Sequence, residues 1–449
     1  MLKKINVIAF LLFIIITIYV SCSTAKKCTV EQFKGIQIHD LHPYTDLKNR
    51  ADTTPGECSQ WCCDTEQCEA FFHTTNQLSD AGNCKKGASC CWIKPTYNTS
   101  RLDDKCEKEN DCISGICRRS IGPSVSISNI DPRRDRNGEI MDAHDSKLFL
   151  LNGVYHWYVA SYGNCIEPKG NNGCVNLKIG DCGFQTNHNV TLYTSTDLVT
   201  WTNNGVVFGS ANNLPPESVL FSPKTVFNPN TKEFVLWFNY IVGGFSRSYY
   251  AVATSKTATG PFTIQVLNVT TTQYQQDGDE NIFVDDDGTG YLIYTSIAQG
   301  HGMSIEKMTP DFKGTLGASA SSGIFGLTFS EAPMIFKRQG IYYAVFGHCC
   351  CYCESGSEVT VFTSTTGALG PYTQQTSLGQ LHSQSTDIFR YLDSAGDEQF
   401  MYIGDHWQSA LDGIKGHDFT VWAPLQFSKD GMQVTTAGFQ DNFTITVGH

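Results

Sequence analysis

The chain has 449 residues, of which 41% are hydrophobic, 12% aromatic and only 17% charged, with forty glycines and a formal net charge of −12. That length suffices for two domains and a large core, and the Gly, Thr, Ser, Tyr and Val content points to strands and turns rather than helices. The acidic balance argues against a nucleic-acid backbone as partner and favours neutral ligands such as sugars.

At the start, Lys3 and Lys4 precede the apolar run "INVIAFLLFIIITIYV", and small residues follow in "SCSTA". The pattern reads as a secretory signal over residues 1–25, cut near Ala25, and implies an extracellular protein. The alternative is a retained membrane anchor, for which the run is short against the ~20 residues of a spanning helix. Of the nineteen cysteines, Cys22 leaves with the signal. The remainder is even, as expected of disulfides in an oxidising compartment. N-x-S/T triplets at Asn98, Asn189, Asn268 and Asn442 lean toward a glycoprotein.

Residues 26–118 carry a dense set of cysteines between Cys28 and Cys117. So small a region is stabilised by disulfides more than by a core. Its segments "ECSQWCCDTEQCEAFFHTTN" and "NCKKGASCCWIK" resemble the PAN/apple module over roughly residues 50–97. That resemblance implies a disulfide-bonded module binding protein or carbohydrate, with cell-surface or glycan contact. A cysteine-rich spacer is the bland alternative. "KCEKENDCISGIC" reads as a further small knot. The odd cysteine of this region has Cys165, Cys174 and Cys182 as candidate partners, and connectivity is not legible from sequence. Residues 119–130, covering most of "RRSIGPSVSISN", read as a linker.

From residue 131 to 449 one pattern recurs: an apolar strand, a Gly/Asn/Asp turn, then an aromatic strand. The copies begin near 145, 222, 279, 331 and 385, in "DSKLFLLNGVYHWYVAS", "SPKTVFNPNTKEFVLWFNY", "DENIFVDDDGTGYLIYTS", "EAPMIFKRQGIYYAVFG" and "STDIFRYLDSAGDEQFMYIGD". Second hairpins follow in "LYTSTDLVTWT", "YAVATSKTATGPF" and "VFTSTTGALGPY". Such repeats of short strands are the signature of a β-propeller, here with five blades. A two-sheet sandwich is the alternative, and it would not require the same hairpin grammar in every copy. The fold expected is therefore mainly β: a five-bladed propeller behind a small N-terminal disulfide-rich domain.

In a propeller the first strand of each blade lines the axis, so the heads of those strands converge. They are Asp145, Lys224, Asp279, Glu331 and Gln384, with Asp145, Asp279 and Glu331 at matched distances from the turn glycines Gly153, Gly288 and Gly340. Crowded carboxylates cannot all ionise comfortably, so one keeps its proton. That suits glycoside hydrolysis, where an acid protonates the leaving oxygen and a base activates water on the opposite face. Glu331 is the expected donor. The alternative is that these carboxylates cap strand ends or bind a structural cation.

These segments, with "DRNGEIMDAHDSKLF", "SQSTDIF" and "IGDHW", resemble glycoside hydrolase family 43 over about residues 130–430, and within it the galactan 1,3-β-galactosidase branch. The resemblance implies inverting hydrolysis with Asp145 as base, Asp279 modulating pKa and Glu331 as acid. The branch has glycine where this chain has Asp145. Gln384 matches a glutamine given the role of positioning water, so both options stand, with Asp142 as near competitor to Asp145. His144 matches a branch histidine expected to contact sugar; a hydrogen-bonded core histidine is its alternative. Lys224, Gln384 and Trp407 complete the expected substrate contacts. Tyr162, Trp237, Phe325 and Trp407 are candidate stacking platforms, each equally readable as core.

Two loops depart from the family. "GHCCCYCESGSE" puts Cys349, Cys350, Cys351 and Cys353 after the strand that follows the acid; disulfides are expected there rather than zinc with His348. "GNCIEPKGNNGCVNLKIGDCGFQTN" is a long loop in the first blade, expected to form another wall of the site. No cofactor is required, although the wider family allows calcium in the central channel; the run Asp285–Gly288 reads as a hairpin turn, not an ion site. The expected substrate is a galactan, arabinan or xylan-type polysaccharide or oligosaccharide. The competing readings are a non-catalytic carbohydrate-binding propeller and an adhesion protein acting through its cysteine-rich region.

Overall fold

The computed structural model describes residues 28–34, 48–65, 68, 70–75, 83–86, 88–94, 112–119, 124–167, 169–170, 178–211, 213–242, 247–273, 277–350, 352–394 and 396–448. The expected signal segment, the Asn98 triplet, Cys106, Cys174 and Cys351 lie outside these residues. The chain is mainly β and divides into two units, Met1–Ser120 and Ile121–His449.

In the first unit, β1 (Cys28–Lys34), β2 (Lys48–Ala51), β3 (Ala70–Thr74), β4 (Cys90–Lys94) and β5 (Cys112–Arg119) form one sheet in the order β1-β5-β3-β4-β2. A helix, α1 (Pro55–Asp64), starts where Thr54 and Glu57 form a reciprocal capping box with Pro55 in the first turn. Both features satisfy or remove amide donors that a helix start leaves unpaired. Disulfides Cys58–Cys91 and Cys62–Cys68 tie α1 to β4 and to the approach to β3, and Cys84–Cys90 closes a short loop. Cys58, Cys62, Cys68 and Cys91 are themselves the core, packed with Phe71 and Ile93. Cross-links substitute for the apolar area that so small a unit lacks.

The second unit opens with β6 (Ser124–Ser128) and then builds sheets from consecutive strands. The first sheet holds β7 (His144–Leu151), β8 (Val154–Ser161), β9 (Asn189–Ser195) and β10 (Thr202–Gly209). The second holds β11 (Val219–Asn228), β12 (Glu233–Val242), β13 (Arg247–Ser255) and β14 (Thr263–Leu267). The third holds β15 (Asp277–Val284), β16 (Gly290–Ser296), β17 (Gly302–Lys307) and β18 (Ser321–Phe325). The fourth holds β19 (Ser330–Arg338), β20 (Ile341–His348), β21 (Glu358–Ser364) and β22 (Thr373–Gln380). The fifth has β23 (Gln384–Leu392), β24 (Glu398–His406) and β25 (Phe419–Pro424). After a small ribbon, β26 (Gln426–Phe427) with β27 (Val434–Thr435), the last strand β28 (Asn442–Thr446) pairs with β6. The stretch expected as a linker therefore contains a strand, because its alternating "SVSIS" finds an edge at the far end of the chain.

The first strands are neighbours in sequence: β7 lies beside β11 and β23, β11 beside β15, β15 beside β19, and β19 beside β23. They close a ring. The hairpin turns that follow need left-handed backbone, and Gly153 (φ 77°), Gly288 (φ 81°) and Gly340 (φ 82°) supply it without a Cβ penalty, with Asn152 (φ 52°) and Gln339 (φ 49°) left-handed beside two of them. A separate apolar wedge fills the space between each pair of adjacent sheets. The wedge between the first and fifth sheets joins Trp157 and Trp201 to Trp422 and Phe389, and draws in Val125, Ile127 and Ile445 from β6 and β28. The two ends of the unit thus seal its seam. Asn129 reinforces it: its Nδ2 donates to the Trp422 carbonyl (2.9 Å), and its Oδ1 accepts from the Trp422 amide (2.8 Å).

Candidate active site

All five first strands carry an irregularity at the same level. Pairing slips between His144 and Lys147, Phe221 and Lys224, Asp277 and Glu280, Glu331 and Met334, and Ser385 and Asp387. Asp145 (φ 49°), Ser222 (φ 51°) and Ala332 (φ 53°) adopt left-handed backbone within these slips. A bulge turns a side chain away from its regular face. Repeated five times around a ring, it aims five strand heads at one point. Asp145, Lys224, Asp279, Ala332, Pro333, Gln384 and Ser385 line one polar hollow there.

Glu331 is buried beside it. Its Oε1 accepts from the Cys350 amide (2.7 Å) and from Gln384 Nε2 (3.0 Å). Burial, and next the charge of Asp279, push its carboxyl up to about 8. With Oε1 accepting twice, the proton belongs on Oε2. Asp279 Oδ2 accepts from the Ala332 amide (3.2 Å), and burial and Asp145 raise its carboxyl to about 6. Asp145 accepts from the Tyr162 hydroxyl at Oδ2 (2.7 Å), while its own amide donates to Asp405 Oδ2 (2.8 Å). Burial and the charge of Asp405 raise the Asp145 carboxyl too. The three carboxyls are thus near enough to bias each other's ionisation.

The other expected residues take different places. Lys224 spends all three ammonium protons on the carbonyls of Asp145 (2.9 Å), Ser146 (2.8 Å) and Thr386 (3.1 Å). It fixes the strand heads and acts on the carboxylates through its charge. Gln384 is held at both ends, donating to Glu331 and accepting from Trp407 Nε1 at 2.8 Å. Its contact with Glu331 is direct and leaves no room for a sugar ring between them. That suits orienting the acid better than holding water opposite it.

His144 and Trp407 are wholly buried behind the site, ring against ring at 5.0 Å, rather than in its wall. Burial disfavours the His144 cation, but Asp405 (3.4 Å) and Asp142 (3.7 Å) outweigh it and lift the imidazole to about 9. Asp142, the competitor of Asp145, accepts the amides of Tyr162 (2.9 Å) and Gly163 (2.7 Å) and caps a loop. The stacking candidates are taken up by protein contacts as well, Tyr162 and Trp237 buried and Phe325 half-buried. Tyr162 supports Asp145, Trp237 donates to the Phe312 carbonyl in the core, and Phe325 stacks on Tyr372.

Several site residues carried no sequence signal. Asp405 stands inside the quoted "IGDHW" but only its contact with the Asp145 amide reveals its part. Glu280, next to Asp279, lines the same hollow, and burial drives its carboxyl well above the ordinary carboxylate range. Behind Tyr162 the buried Lys415 pairs with Glu167 (2.8 Å) and lies over the rings of Tyr352 (3.7 Å) and Trp407 (3.8 Å). The two loops expected as walls contain the disulfides Cys165–Cys182 and Cys350–Cys353, while Cys349 keeps a free thiol beside Glu331.

Among the described residues no group of three His, Cys, Asp or Glu is disposed to hold a metal ion. In the channel, where the family allows calcium, stands the ammonium of Lys147, bonded to Asn281 Oδ1 and Asp387 Oδ1 (both 2.9 Å). With the Lys224 ammonium also there, these donors do not suit a cation.

The profile of Glycosyl hydrolases family 43 matches residues 181–431, which include Asp279, Glu331 and Gln384 and leave Asp145 outside. No curated protein sequence matches the chain. Among solved structures, an exo-β-1,3-galactanase from Clostridium thermocellum is similar, with 26% identity and TM-score 0.58 over 72% of this chain and 68% of that one. An exo-β-1,3-galactanase from Phanerochaete chrysosporium, solved with galactose, is similar in fold, with 22% identity and TM-score 0.57 over 72% of this chain and 69% of that one.

Proposed function

The chain belongs to glycosyl hydrolases family 43 and is a glycosidase hydrolysing O-glycosyl bonds, and from that premise we propose that it is a secreted, inverting enzyme releasing sugar from a β-1,3-linked galactan. The observation that carries this reading is the carboxyl of Glu331, kept protonated near neutral pH by burial and by Asp279 from the adjoining sheet. Glu331 gives the Oε2 proton to the leaving glycosidic oxygen. Asp279, ionised above about pH 6, keeps that proton in place until the bond breaks. Asp145 takes the proton of the attacking water, with Tyr162 and the Asp405-bound amide fixing its carboxylate. The galactan preference is supported by the 26% identical Clostridium thermocellum enzyme.

The same proposal takes the ring of sheets as a five-bladed propeller and the first unit as a PAN-like module contacting glycan or cell surface. The apolar segment at residues 5–20 and the disulfides support export. To test the function, the secreted protein is incubated with β-1,3-galactan, arabinan and xylan, and the first-formed anomer is followed by NMR. Galactose appearing first as the α-anomer supports the reading; no release from any polysaccharide, or a β-anomer first, contradicts it.

A further inference from the structure

A large aromatic side chain, Phe329, stands exposed beside the acid, two residues before Glu331 and 61% exposed. Its backbone is left-handed (φ 55°), as is that of His301 (φ 59°), whose ring lies over it with centroids 6.0 Å apart and planes 24° from parallel. A bulky residue in that region costs roughly 1–3 kcal/mol. Folding gains little in return, because the ring faces solvent. The segment is nonetheless pinned. The Phe329 amide donates to the Gly300 carbonyl (2.9 Å), the Ser330 amide to the His301 carbonyl (3.2 Å), and the Cys349 amide to the Phe329 carbonyl (2.6 Å). The next amide, Cys350, is the one that holds Glu331 Oε1. A single dipeptide, Cys349–Cys350, therefore fixes both the acid and the aromatic residue. Their Cα atoms are at most about 7 Å apart.

We propose that Phe329 and His301 form a stacking platform for the sugar on the leaving-group side of the scissile bond. The assignment rests on the reading of Glu331 as proton donor, since the group beside the donor is the one that departs. A pyranose with a contiguous C–H face packs on an aromatic ring and keeps its hydroxyls in water. Leu327, two residues before Phe329, and Ile297, four before His301, are also exposed. His301 is suited to such a face because burial lowers its pKa and keeps the imidazole neutral.

The test compares wild type with Phe329→Ala, His301→Ala and Phe329→Tyr in the full chain. The substrates are β-1,3-galactotriose and β-galactosyl fluoride, whose leaving group is too small to touch the platform. The expected result is an about tenfold loss of kcat/KM on galactotriose for both alanine variants. Fluoride release should stay within twofold, and Phe329→Tyr should match wild type on both substrates. Equal losses on both substrates, or no loss on galactotriose, would overturn the platform. Should wild type cleave neither substrate, the galactan reading fails by itself. Calorimetric titration with galacto-, arabino- and xylotriose then decides the platform: weaker binding by Phe329→Ala supports it, and unchanged binding of all three overturns it.

Discussion

Replacing Asp279 by asparagine removes one charge and leaves the shape of the site intact. Asp279 Oδ2 bonds the amide next to Glu331 at 3.2 Å, which puts the two carboxyls roughly 6–8 Å apart. At an effective dielectric of about 20, a like charge at about 7 Å costs about 2.4 kcal/mol, or close to two pH units. Burial is the larger cause of the raised Glu331 carboxyl and survives the substitution. The share lost is therefore about one to two pH units. The sign follows from the role. As the proposed proton donor, Glu331 works only while protonated, so activity should fall as pH rises through its pKa. With Asp279→Asn that alkaline limb should drop from near 8 to about 6–7. The assay is kcat/KM for β-1,3-galactobiose from pH 4 to 10, with circular dichroism to confirm the fold. An alkaline limb that stays at 8 while activity falls would refute the claim that Asp279 sets the ionisation of Glu331.

Two further substitutions probe the support of the site. Tyr162→Phe takes the 2.7 Å donor from Asp145, a bond that holds that carboxyl's pKa down. The acid limb should move up and kcat at pH 6 should fall by about tenfold; an unchanged profile would remove Asp145 from the role of base. Lys147→Met strands the buried Asp387 carboxylate in the channel. It should cost about 3–5 kcal/mol, seen as a melting temperature roughly 10 °C lower, and an unaltered melting curve would contradict the channel ion pair.

The repeat was plain in the sequence because hairpin turns and aromatic strands leave a local mark. The copies read from 145, 222, 279, 331 and 385 have their first strands starting at His144, Val219, Asp277, Ser330 and Gln384. What the local pattern could not carry was the bulge in each first strand. A slipped pair changes side-chain direction without changing the alternation of residue types. Asp405 reaches Asp145 across the seam between the fifth and first sheets, a closure that no local pattern encodes. The large aromatics misled for a related reason. Trp237, Trp407 and Tyr162 fill the interior against buried neighbours, whereas Phe329 drew no attention because "TFSEAP" reads as an ordinary strand entry. The strand Ser124–Ser128 was hidden because its partner lies at the far end of the chain.

The identity of the proton donor is tested most directly by Glu331→Gln on two β-galactosides whose leaving groups differ sharply in their need for a proton. On β-1,3-galactobiose the variant should lose roughly 10²–10⁴ in kcat. On 2,4-dinitrophenyl β-galactoside, whose leaving group departs without protonation, it should lose less than about tenfold. Equal losses on the two substrates, or full activity on galactobiose, would contradict it.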